Sequence, residues 1–315
     1  MRIICLAAIG LGWVMGHANV ARSAEGRQKD LIYGRKHGTA LTMDVFTPKS
    51  PNGKGVIFVV SGGWFSSPTA INPLFYRTLL DRGYTVFAVV HASQPKFTVP
   101  EILEDMHRAV RFIRFNAGKF AIDPDHLGIM GASAGGHLSL MMGTTGTEGN
   151  PAASDPVDRV SSKVQAVGAF CPPTDFLNWG KPGKEMIDRQ IQPPFTAAMD
   201  YHEFDRKKAL YLPIKEPDKL REITRQISPL YQVKSSSAPT ILFHGDKDSL
   251  VPFQQSQSIV DRFEKAQVPV KLHVRKDAEH IWPTILMDVK LVADWFDLHL
   301  RKTPESQKAK PQSPG

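Results

Sequence analysis

The chain has 315 residues, of which 42% are hydrophobic and 22% charged, a globular composition that excludes a disordered or fibrous protein. Its formal net charge is +8, but no stripe of Lys and Arg is interleaved with aromatic residues, so nucleic-acid binding is not expected. The two cysteines, Cys5 and Cys171, exclude a disulfide-rich scaffold, and Cys171 follows an apolar run that predicts a buried thiol rather than a nucleophile.

The two ends of the chain differ in composition from the rest. Residues 1–24 combine Arg2, an apolar stretch and small residues near their end, a pattern typical of a secretory signal peptide. The apolar stretch is too short to span a bilayer, so we expect cleavage, a periplasmic or secreted protein and no stable membrane anchoring. An uncleaved N-terminal anchor is the alternative. Residues 301–315 are polar, basic and proline-containing, which predicts a disordered tail.

Between these ends, strand and helix patterns alternate over residues 25–300, which predicts one α/β domain. The first two strands flank Gly38 as an antiparallel pair, and the later ones are continuous apolar runs typical of strands buried on both faces. We therefore expect a mostly parallel sheet with helices on both faces. Predicted strands cover residues 31–33, 41–46, 56–60, 84–90, 127–130, 164–170, 240–243 and 270–274, and predicted helices cover 73–80, 100–115, the stretch after 133, 254–266 and 288–300.

Two of these helices show a clear apolar face. Apolar residues recur at helical spacing along 100–115 and again along 288–300, so one side of each helix should pack against the sheet. The residues expected to face inward are Ile102, Met106, Ala109, Val110 and Ile113 in the first helix and Leu291, Val292, Trp295 and Leu298 in the second.

The alternation is interrupted over residues 172–237. This stretch holds eight prolines with short helical patterns between them. It lies where folds of this class insert a cap over the functional site, so we predict a cap-like insertion. The alternative is a long surface excursion with no role in substrate binding.

Residues 127–140 carry the main functional motif. An apolar run ends at Gly131-Ala132-Ser133-Ala134-Gly135 and continues as a helical pattern, which is the strand, turn and helix context of a nucleophile elbow. The two glycines would let the strand and helix backbones pass close together, where a Cβ would collide. The helix N-terminus would favour negative charge that develops at the turn. Ser133 is therefore the candidate nucleophile for acyl transfer.

A serine hydroxyl needs a general base, and this base needs an acid to orient it. In the chain order of the elbow enzymes the acid follows the serine, and the histidine comes last. The loop after the strand at 240–243 contains Asp248, and the loop after the strand at 270–274 contains His280. Asp246 competes with Asp248 for the role of the acid.

Four segments together resemble the secreted esterase branch of the α/β-hydrolases, which is related to acetyl-xylan and feruloyl esterases and to hormone-sensitive-lipase-like carboxylesterases. The segments are Ser61-Gly62-Gly63-Trp64 and residues 131–136, 244–252 and 279–283, and the similarity spans residues 40–300. The resemblance implies an α/β-hydrolase fold. It also implies Ser133 as nucleophile, His280 as base and Asp248 as acid.

The same resemblance implies where an oxyanion would be held. The donors would be the backbone N–H groups of Gly63, Trp64 and Ala134, and glycines at 62 and 63 would let the backbone approach a substrate oxygen closely. The family's usual H-G-G-G is S-G-G-W in this chain. Trp64 therefore either contributes its N–H or lines the acyl pocket.

The implied activity is that of a serine carboxylesterase acting on short acyl esters through an acyl-enzyme, with acetyl or feruloyl groups on polysaccharides as candidate substrates. An aryl-formamidase, amidase or peptidase-like hydrolase would use the same triad. A non-catalytic carbohydrate-binding protein is a rival of another class. The expected partner is a small-molecule or polysaccharide ester.

The remaining candidate residues are assigned structural roles. The sequence contains no metal-binding or nucleotide-binding motif, so neither a metal nor a cofactor is expected. His137 is expected to pack on the elbow helix, and His244 is expected to support the acid loop. For His91, at the end of a predicted strand, the choice between a structural and a chemical role stays open.

Overall fold

The structure is a computed structural model that describes residues 26–186 and 193–300. The predicted signal peptide at 1–24 and the predicted tail at 301–315 lie outside the described residues. Within the described ranges no helix combines the length and the apolar character needed to cross a membrane.

An eight-stranded sheet forms the centre of the molecule, and a separate two-stranded sheet lies within residues 172–237. The strands are β1 (Gly26–Lys36), β2 (Thr39–Thr47), β3 (Gly55–Val60), β4 (Thr85–Val90), β5 (Leu127–Ala132), β6 (Ala166–Phe170), β7 (His202–Asp205), β8 (Leu210–Pro213), β9 (Thr240–Gly245) and β10 (Val270–Arg275). The large sheet has the order β1-β2-β4-β3-β5-β6-β9-β10. Strand β2 pairs antiparallel with β1 and β4, and all other neighbours are parallel, which confirms the predicted sheet.

Six α-helices are found in the described residues. They are α1 (Arg77–Asp81), α2 (Val99–Phe115), α3 (Ala134–Thr145), α4 (Pro217–Gln226), α5 (Gln254–Lys265) and α6 (Ile285–His299). The helix predicted over 73–80 is instead a 3-10 turn, Pro73–Tyr76, followed by the short α1. The Asn72 side chain caps the 3-10 turn, and the backbone of Tyr76 departs from helical geometry at φ −135°, so a regular helix is interrupted there.

The core lies on both faces of the sheet because strands β3 and β4 are buried on both sides. Successive side chains of a strand point to opposite faces, so Ile57 and Val59 belong to one apolar cluster and Phe58 and Val60 to the other. Helices α2, α3 and α5 contribute to the first cluster, and α1 and α6 contribute to the second. This three-layer arrangement leaves the carboxyl ends of the parallel strands free to carry loops.

The predicted apolar face of α2 is confirmed, since all five of its predicted core residues are fully buried. The prediction for α6 is wrong at Leu298, which is 58% exposed. A helix turns by about 100° per residue, so the inward stripe set by Val289 and Val292 continues at Phe296 and leaves Leu298 on the outer side. Phe296 is fully buried.

The interruption at 172–237 contains more strand structure than the sequence predicts. Strands β7 and β8 form an antiparallel hairpin that pairs Phe204 with Tyr211, and both of these side chains are exposed. The strands have four residues each and no buried apolar face, so they lack the pattern by which strands are recognised. The helical fragments predicted around them are present as the 3-10 helix Pro193–Met199 and as α4.

Candidate active site

Strand β5 ends at Ala132 and helix α3 begins at Ala134, so Ser133 alone makes the turn between them. Its backbone has φ 53° and ψ −120°, a left-handed conformation that costs a non-glycine residue about 1–3 kcal/mol. Two hydrogen bonds hold it: Ser133 N–H donates to the Phe170 carbonyl at 2.8 Å, and His137 N–H donates to the Ser133 carbonyl at 2.9 Å. The turn therefore fixes the serine where strand and helix meet, and the residue remains partly exposed.

The glycines beside the serine are required by close backbone contacts. A Cβ on Gly131 would lie 2.5 Å from the carbonyl carbon and oxygen of Gly135. A Cβ on Gly135 would lie 2.8 Å from the carbonyl oxygen of Val59, on the neighbouring strand. Both distances are below any normal contact, as the sequence motif predicts.

Replacing Gly131 with alanine should therefore destabilise the protein. We expect the free energy of unfolding to fall by at least about 1 kcal/mol, because the new methyl group meets backbone atoms that cannot rotate away. Urea-induced unfolding followed by far-UV circular dichroism would measure this change. Gly118→Ala is the matched control, since a Cβ there meets nothing within 4 Å. Equal stability of the two variants would contradict the steric explanation.

Asp248 and His280 form a short hydrogen-bonded pair. They lie in the loops that follow β9 and β10, and His280 Nδ1 is 2.7 Å from Asp248 Oδ2. The carboxylate is fully buried, whereas the imidazole side chain is 15% exposed. When Nδ1 donates its hydrogen to the carboxylate, the ring is in the tautomer whose Nε2 carries a lone pair. A general base needs this tautomer, and the lone pair points away from Asp248.

Four donors surround the Asp248 carboxylate. Oδ1 accepts hydrogen bonds from the N–H groups of Leu250 and Val251 at 2.9 and 2.8 Å, and Oδ2 lies 3.1 Å from His244 Nε2 in addition to the His280 contact. Burial alone would raise the pKa of Asp248, but the two histidine rings and the Val251 N–H hold it well below its usual range. The carboxylate is therefore ionised throughout the neutral range.

Asp246, the competing acid, lies elsewhere in the same loop. Its Oδ1 accepts a hydrogen bond from the Asp277 N–H at 2.6 Å, and its own N–H donates to the Arg275 carbonyl at 3.1 Å. Asp246 thus ties the acid loop to the histidine loop. A second tie is made by Glu279, which accepts hydrogen bonds from the hydroxyl and N–H of Ser249 at 2.9 and 3.1 Å. The structure therefore places Asp248 at the His280 ring, whereas the Asp246 side chain binds the Asp277 N–H.

The end of β6 connects Ser133 with the Asp248–His280 pair. Phe170 accepts the Ser133 N–H, and the next residue, Cys171, has its Sγ 3.9 Å from His280 Nε2. Among the described residues the nitrogens of the His280 ring contact Asp248 and Cys171, and no hydrogen bond joins the ring to the Ser133 hydroxyl. The structure thus joins Asp248 to His280 directly. It holds the Ser133 backbone beside the end of β6, where Cys171 lies next to the His280 ring.

The loop after β3 is a tight turn with two left-handed residues. Gly62 and Phe65 exchange two backbone hydrogen bonds of 3.0 and 2.9 Å, and between them Gly63 and Trp64 have φ 55° and 62°. In the described part of the chain no intramolecular partner accepts the N–H groups of Gly63, Trp64 and Ala134. A Cβ on Gly63 would collide with the Phe195 ring, whereas nothing lies within 4 Å of a Cβ on Gly62. Protein contacts therefore require glycine at 63 and not at 62.

Residues after β4 hold this loop in place, although no sequence pattern predicts this role for them. His91 Nδ1 donates to the Ala92 carbonyl at 2.6 Å, so Nε2 accepts the hydrogen bond from the Ser61 hydroxyl at 2.8 Å. Burial lowers the pKa of His91 to about 4, although the bond to Ala92 opposes this shift, and the ring stays neutral at pH 7. The Gln94 amide donates to the Gly63 carbonyl. Strands β3 and β4 pair Val60 with Val90, so the register itself places Ser61 beside His91.

Replacing His91 with alanine should lower kcat without greatly changing KM for a small ester. Without the ring, Ser61 loses its partner and the loop donors can shift, and a displacement of about 1 Å at such a site can cost about 100-fold in rate. Steady-state kinetics with p-nitrophenyl acetate would measure kcat and KM separately. His107→Ala is the control, because this partly buried histidine also binds a serine hydroxyl, that of Ser162, at 2.9 Å, away from the loop. An equal effect of both substitutions would contradict a role for His91 in the loop.

The indole of Trp64 is buried rather than open to solvent. The residue is 3% exposed, and its Nε1 donates to His137 Nδ1 at 3.2 Å. His137 Nε2 in turn donates to the Ile227 carbonyl at 2.7 Å, and burial lowers the pKa of this ring to about 4. The ring of Phe195 packs against the indole with centroids 6.4 Å apart. The side chain of Trp64 therefore anchors the loop in the core, and His137 has the packing role that the sequence predicts.

Comparison with protein families shows the family to which the chain belongs. The family model BD-FAE matches residues 43–263, a stretch that contains the elbow and Asp248. The chain belongs to the BD-FAE family. His280 lies beyond the matched stretch, so its place in this BD-FAE chain rests on the geometry given above.

Curated relatives of this BD-FAE chain carry esterase names. A probable carboxylic ester hydrolase of Mycobacterium tuberculosis, LipM, is 26% identical over 247 residues, which cover 75% of this chain and 51% of that protein. Esterase LipC of the same organism is 25% identical over 208 residues, 66% of this chain and 47% of that protein. The chain thus spans about half the length of these relatives.

Solved structures show the same fold over most of the chain. A truncated form of a carbohydrate esterase from gut microbiota has a TM-score of 0.70 and 22% identity, and covers 89% of this chain and 98% of its own. An acetyl ester-xyloside bifunctional hydrolase from Caldicellulosiruptor lactoaceticus has a TM-score of 0.67 and 23% identity, with 88% and 98% covered. This BD-FAE chain therefore has the α/β-hydrolase fold.

Proposed function

We propose that this BD-FAE chain is a serine carboxylesterase that hydrolyses short acyl esters, with acetyl or feruloyl groups on polysaccharides as its substrates. One observation carries the proposal: His280 Nδ1 lies 2.7 Å from the buried Asp248 carboxylate at the edge of the sheet where the Ser133 elbow also lies. Strands β5, β9 and β10 run parallel, so their carboxyl ends share this edge. The names of LipM, LipC and the two structural neighbours support ester hydrolysis.

The first chemical step would be acylation of the serine. Ser133 Oγ attacks the ester carbonyl carbon, and its proton passes to the lone pair of His280 Nε2. Asp248 keeps the ring in the required tautomer and stabilises the imidazolium that forms. The hydrogen bond between serine and histidine must form for this step, and such contacts commonly tighten when substrate binds.

The oxyanion of the tetrahedral intermediate needs donors that are already in place. The N–H groups of Gly63, Trp64 and Ala134 would supply them, and Ala134 adds the positive end of the α3 dipole. Loss of one such donor costs about 100- to 1,000-fold in rate in enzymes of this type. The hydrogen bonds from Gln94 and between Ser61 and His91 would keep two of these donors in position.

The intermediate then collapses and the alcohol leaves. The imidazolium of His280 gives its proton to the departing alkoxide, which leaves the acyl group on Ser133 Oγ. Water attacks this acyl-enzyme and gives its proton to Nε2, and the second collapse releases the acid as the serine oxygen takes the proton back. Both half-reactions use the same base and the same donors.

A substrate panel tests the proposal. The full chain would be assayed on p-nitrophenyl acetate, butyrate and octanoate, methyl ferulate, acetylated xylan, an aryl formamide and a peptide p-nitroanilide. We expect the highest kcat/KM on the acetate or the ferulate, with acetate released from xylan. Faster turnover of the formamide or the peptide would favour the amidase or peptidase alternative. Xylan binding without turnover of any ester would favour the carbohydrate-binding alternative.

The cellular location is a separate part of the proposal. The composition of residues 1–24 supports export to the periplasm or medium, where a polysaccharide ester would be available. N-terminal sequencing of protein recovered from a secreting host would show whether these residues are removed. A mature N-terminus near residue 25 is expected, and an intact N-terminus on a membrane fraction would contradict export by cleavage.

A further inference from the structure

A buried thiol faces the nitrogen that the proposed mechanism uses as a base. Cys171 directly follows β6, has a left-handed φ of 39° and is fully buried. Its Sγ lies 3.9 Å from His280 Nε2, and the thiol donates a hydrogen bond to the His280 carbonyl oxygen at 3.2 Å. No step of ester hydrolysis needs a sulfur atom at this place.

The two facing atoms have the spacing of two ligands of one metal ion. A Zn–S bond of about 2.3 Å and a Zn–N bond of about 2.0–2.1 Å at a tetrahedral angle place sulfur and nitrogen about 3.6 Å apart. The observed separation is 3.9 Å, so a small side-chain shift would suffice. The ligand atoms of Cys171, Asp248 and His280 all lie within 4.8 Å of one another.

Asp248 prepares the histidine for coordination as well as for catalysis. A metal-binding histidine usually donates its other ring N–H to a carboxylate, which fixes the tautomer and orients the ring. Asp248 makes this contact with Nδ1 at 2.7 Å. The lone pair of Nε2 is therefore directed away from Asp248, on the side of the ring that faces the thiol.

We propose that Cys171 Sγ and His280 Nε2 bind a thiophilic divalent cation such as Zn²⁺ or Cd²⁺, and that the bound cation reversibly inhibits the enzyme. The thiol proton leaves to solvent as the sulfur–metal bond forms, and water completes the coordination. The cation occupies the lone pair that must accept the Ser133 proton, so acylation stops. Mg²⁺ and Ca²⁺ prefer oxygen ligands and are not expected to bind. The inhibition part rests on the proposed esterase function, whereas cation binding does not.

The binding test uses the full chain, freed of metal with a chelator and titrated with Co²⁺. Thiolate coordination gives a sulfur-to-cobalt charge-transfer band in the near ultraviolet, which we expect at one equivalent. The band should be absent in Cys171→Ala and in Cys171→Ser. Two variants are used so that the test still stands if one of them fails to fold. It should persist in His202→Gln, an exposed histidine that serves as the control. A wild-type protein without the band, or a band that survives both cysteine substitutions, overturns the site.

The inhibition test follows p-nitrophenyl acetate hydrolysis in buffered free Zn²⁺, each protein being compared with its own metal-free rate. We expect half-inhibition of Cys171→Ala to need at least about 10-fold more Zn²⁺ than the wild type, with full recovery on chelation. Equal inhibition of both proteins overturns the inhibitory role. A cobalt band in a protein that hydrolyses no ester supports the cation site and contradicts the proposed function, so the two failures are distinguishable.

Discussion

Ser133→Ala should lower kcat/KM for p-nitrophenyl acetate by about 10,000-fold or more. The hydroxyl at the elbow is the atom that would form the acyl-enzyme, and neither His280 nor the oxyanion donors can replace it. The substitution removes one atom from a partly exposed position, so the fold should be unchanged. Steady-state kinetics and a far-UV circular dichroism spectrum measure the two expectations together.

Ser139→Ala provides the matched control for this prediction. Ser139 lies on α3, the helix that Ser133 precedes, and is fully buried, and its hydroxyl donates to the Gly135 carbonyl at 2.7 Å. Its loss should cost about 0.5–1.5 kcal/mol of stability and leave kcat within a few-fold of the wild type. If Ser133→Ala kept normal turnover, or lost no more activity than Ser139→Ala, Ser133 could not be the nucleophile.

Asp248→Asn should lower kcat by about 1,000- to 10,000-fold. An asparagine amide can donate to His280 Nδ1, and the ring proton then moves to Nε2, which can no longer accept the proton of Ser133. The substitution also removes the only charge that stabilises the imidazolium within this described hydrogen-bonded group. Because the shape of the side chain is kept, KM should change much less than kcat.

Asp246→Asn separates this effect from general damage to the loop. The Asp246 side chain accepts one hydrogen bond from the Asp277 N–H, and an asparagine carbonyl can accept the same bond. We therefore expect kcat within about threefold of the wild type, since the loop geometry is retained. A larger loss for Asp246→Asn than for Asp248→Asn would reverse the assignment of the acid.

The sheet and its main helices could be predicted because their patterns are periodic. Helix α2 has apolar residues at regular helical spacing, and β3 and β4 are unbroken apolar runs that are buried on both faces. The error at Leu298 arose at the end of a helix, where a few residues do not define the phase of the apolar stripe. The hairpin of β7 and β8 was not predicted because both of its aromatic residues face solvent.

The candidate site was predictable where a local motif or a fixed chain order exists. The glycines around Ser133 mark the elbow, and the order of acid and histidine selects Asp248 and His280, which the structure places 2.7 Å apart. The contact of His91 with Ser61 depends on strand pairing. It could have been found by extending the register of Val60 and Val90 by one residue.

The thiol beside His280 could not have been found from the sequence. Cys171 and His280 are 109 positions apart and follow β6 and β10, which are separated in the sheet by β9. No motif links the two loops, and the direction of the Cys171 side chain depends on its left-handed backbone. Contacts of this kind follow from the packing of loops at a sheet edge and have no signature in spacing or composition.

The site of covalent labelling by a fluorophosphonate tests most directly whether Ser133 is a nucleophile activated by His280. The folded protein would be labelled, digested and analysed by peptide mass spectrometry, with His280→Gln treated in parallel. We expect one adduct per chain, on the peptide that contains Ser133, and a much slower reaction in His280→Gln. An adduct on another residue, or ester hydrolysis that continues after Ser133 is fully labelled, would contradict this role of Ser133.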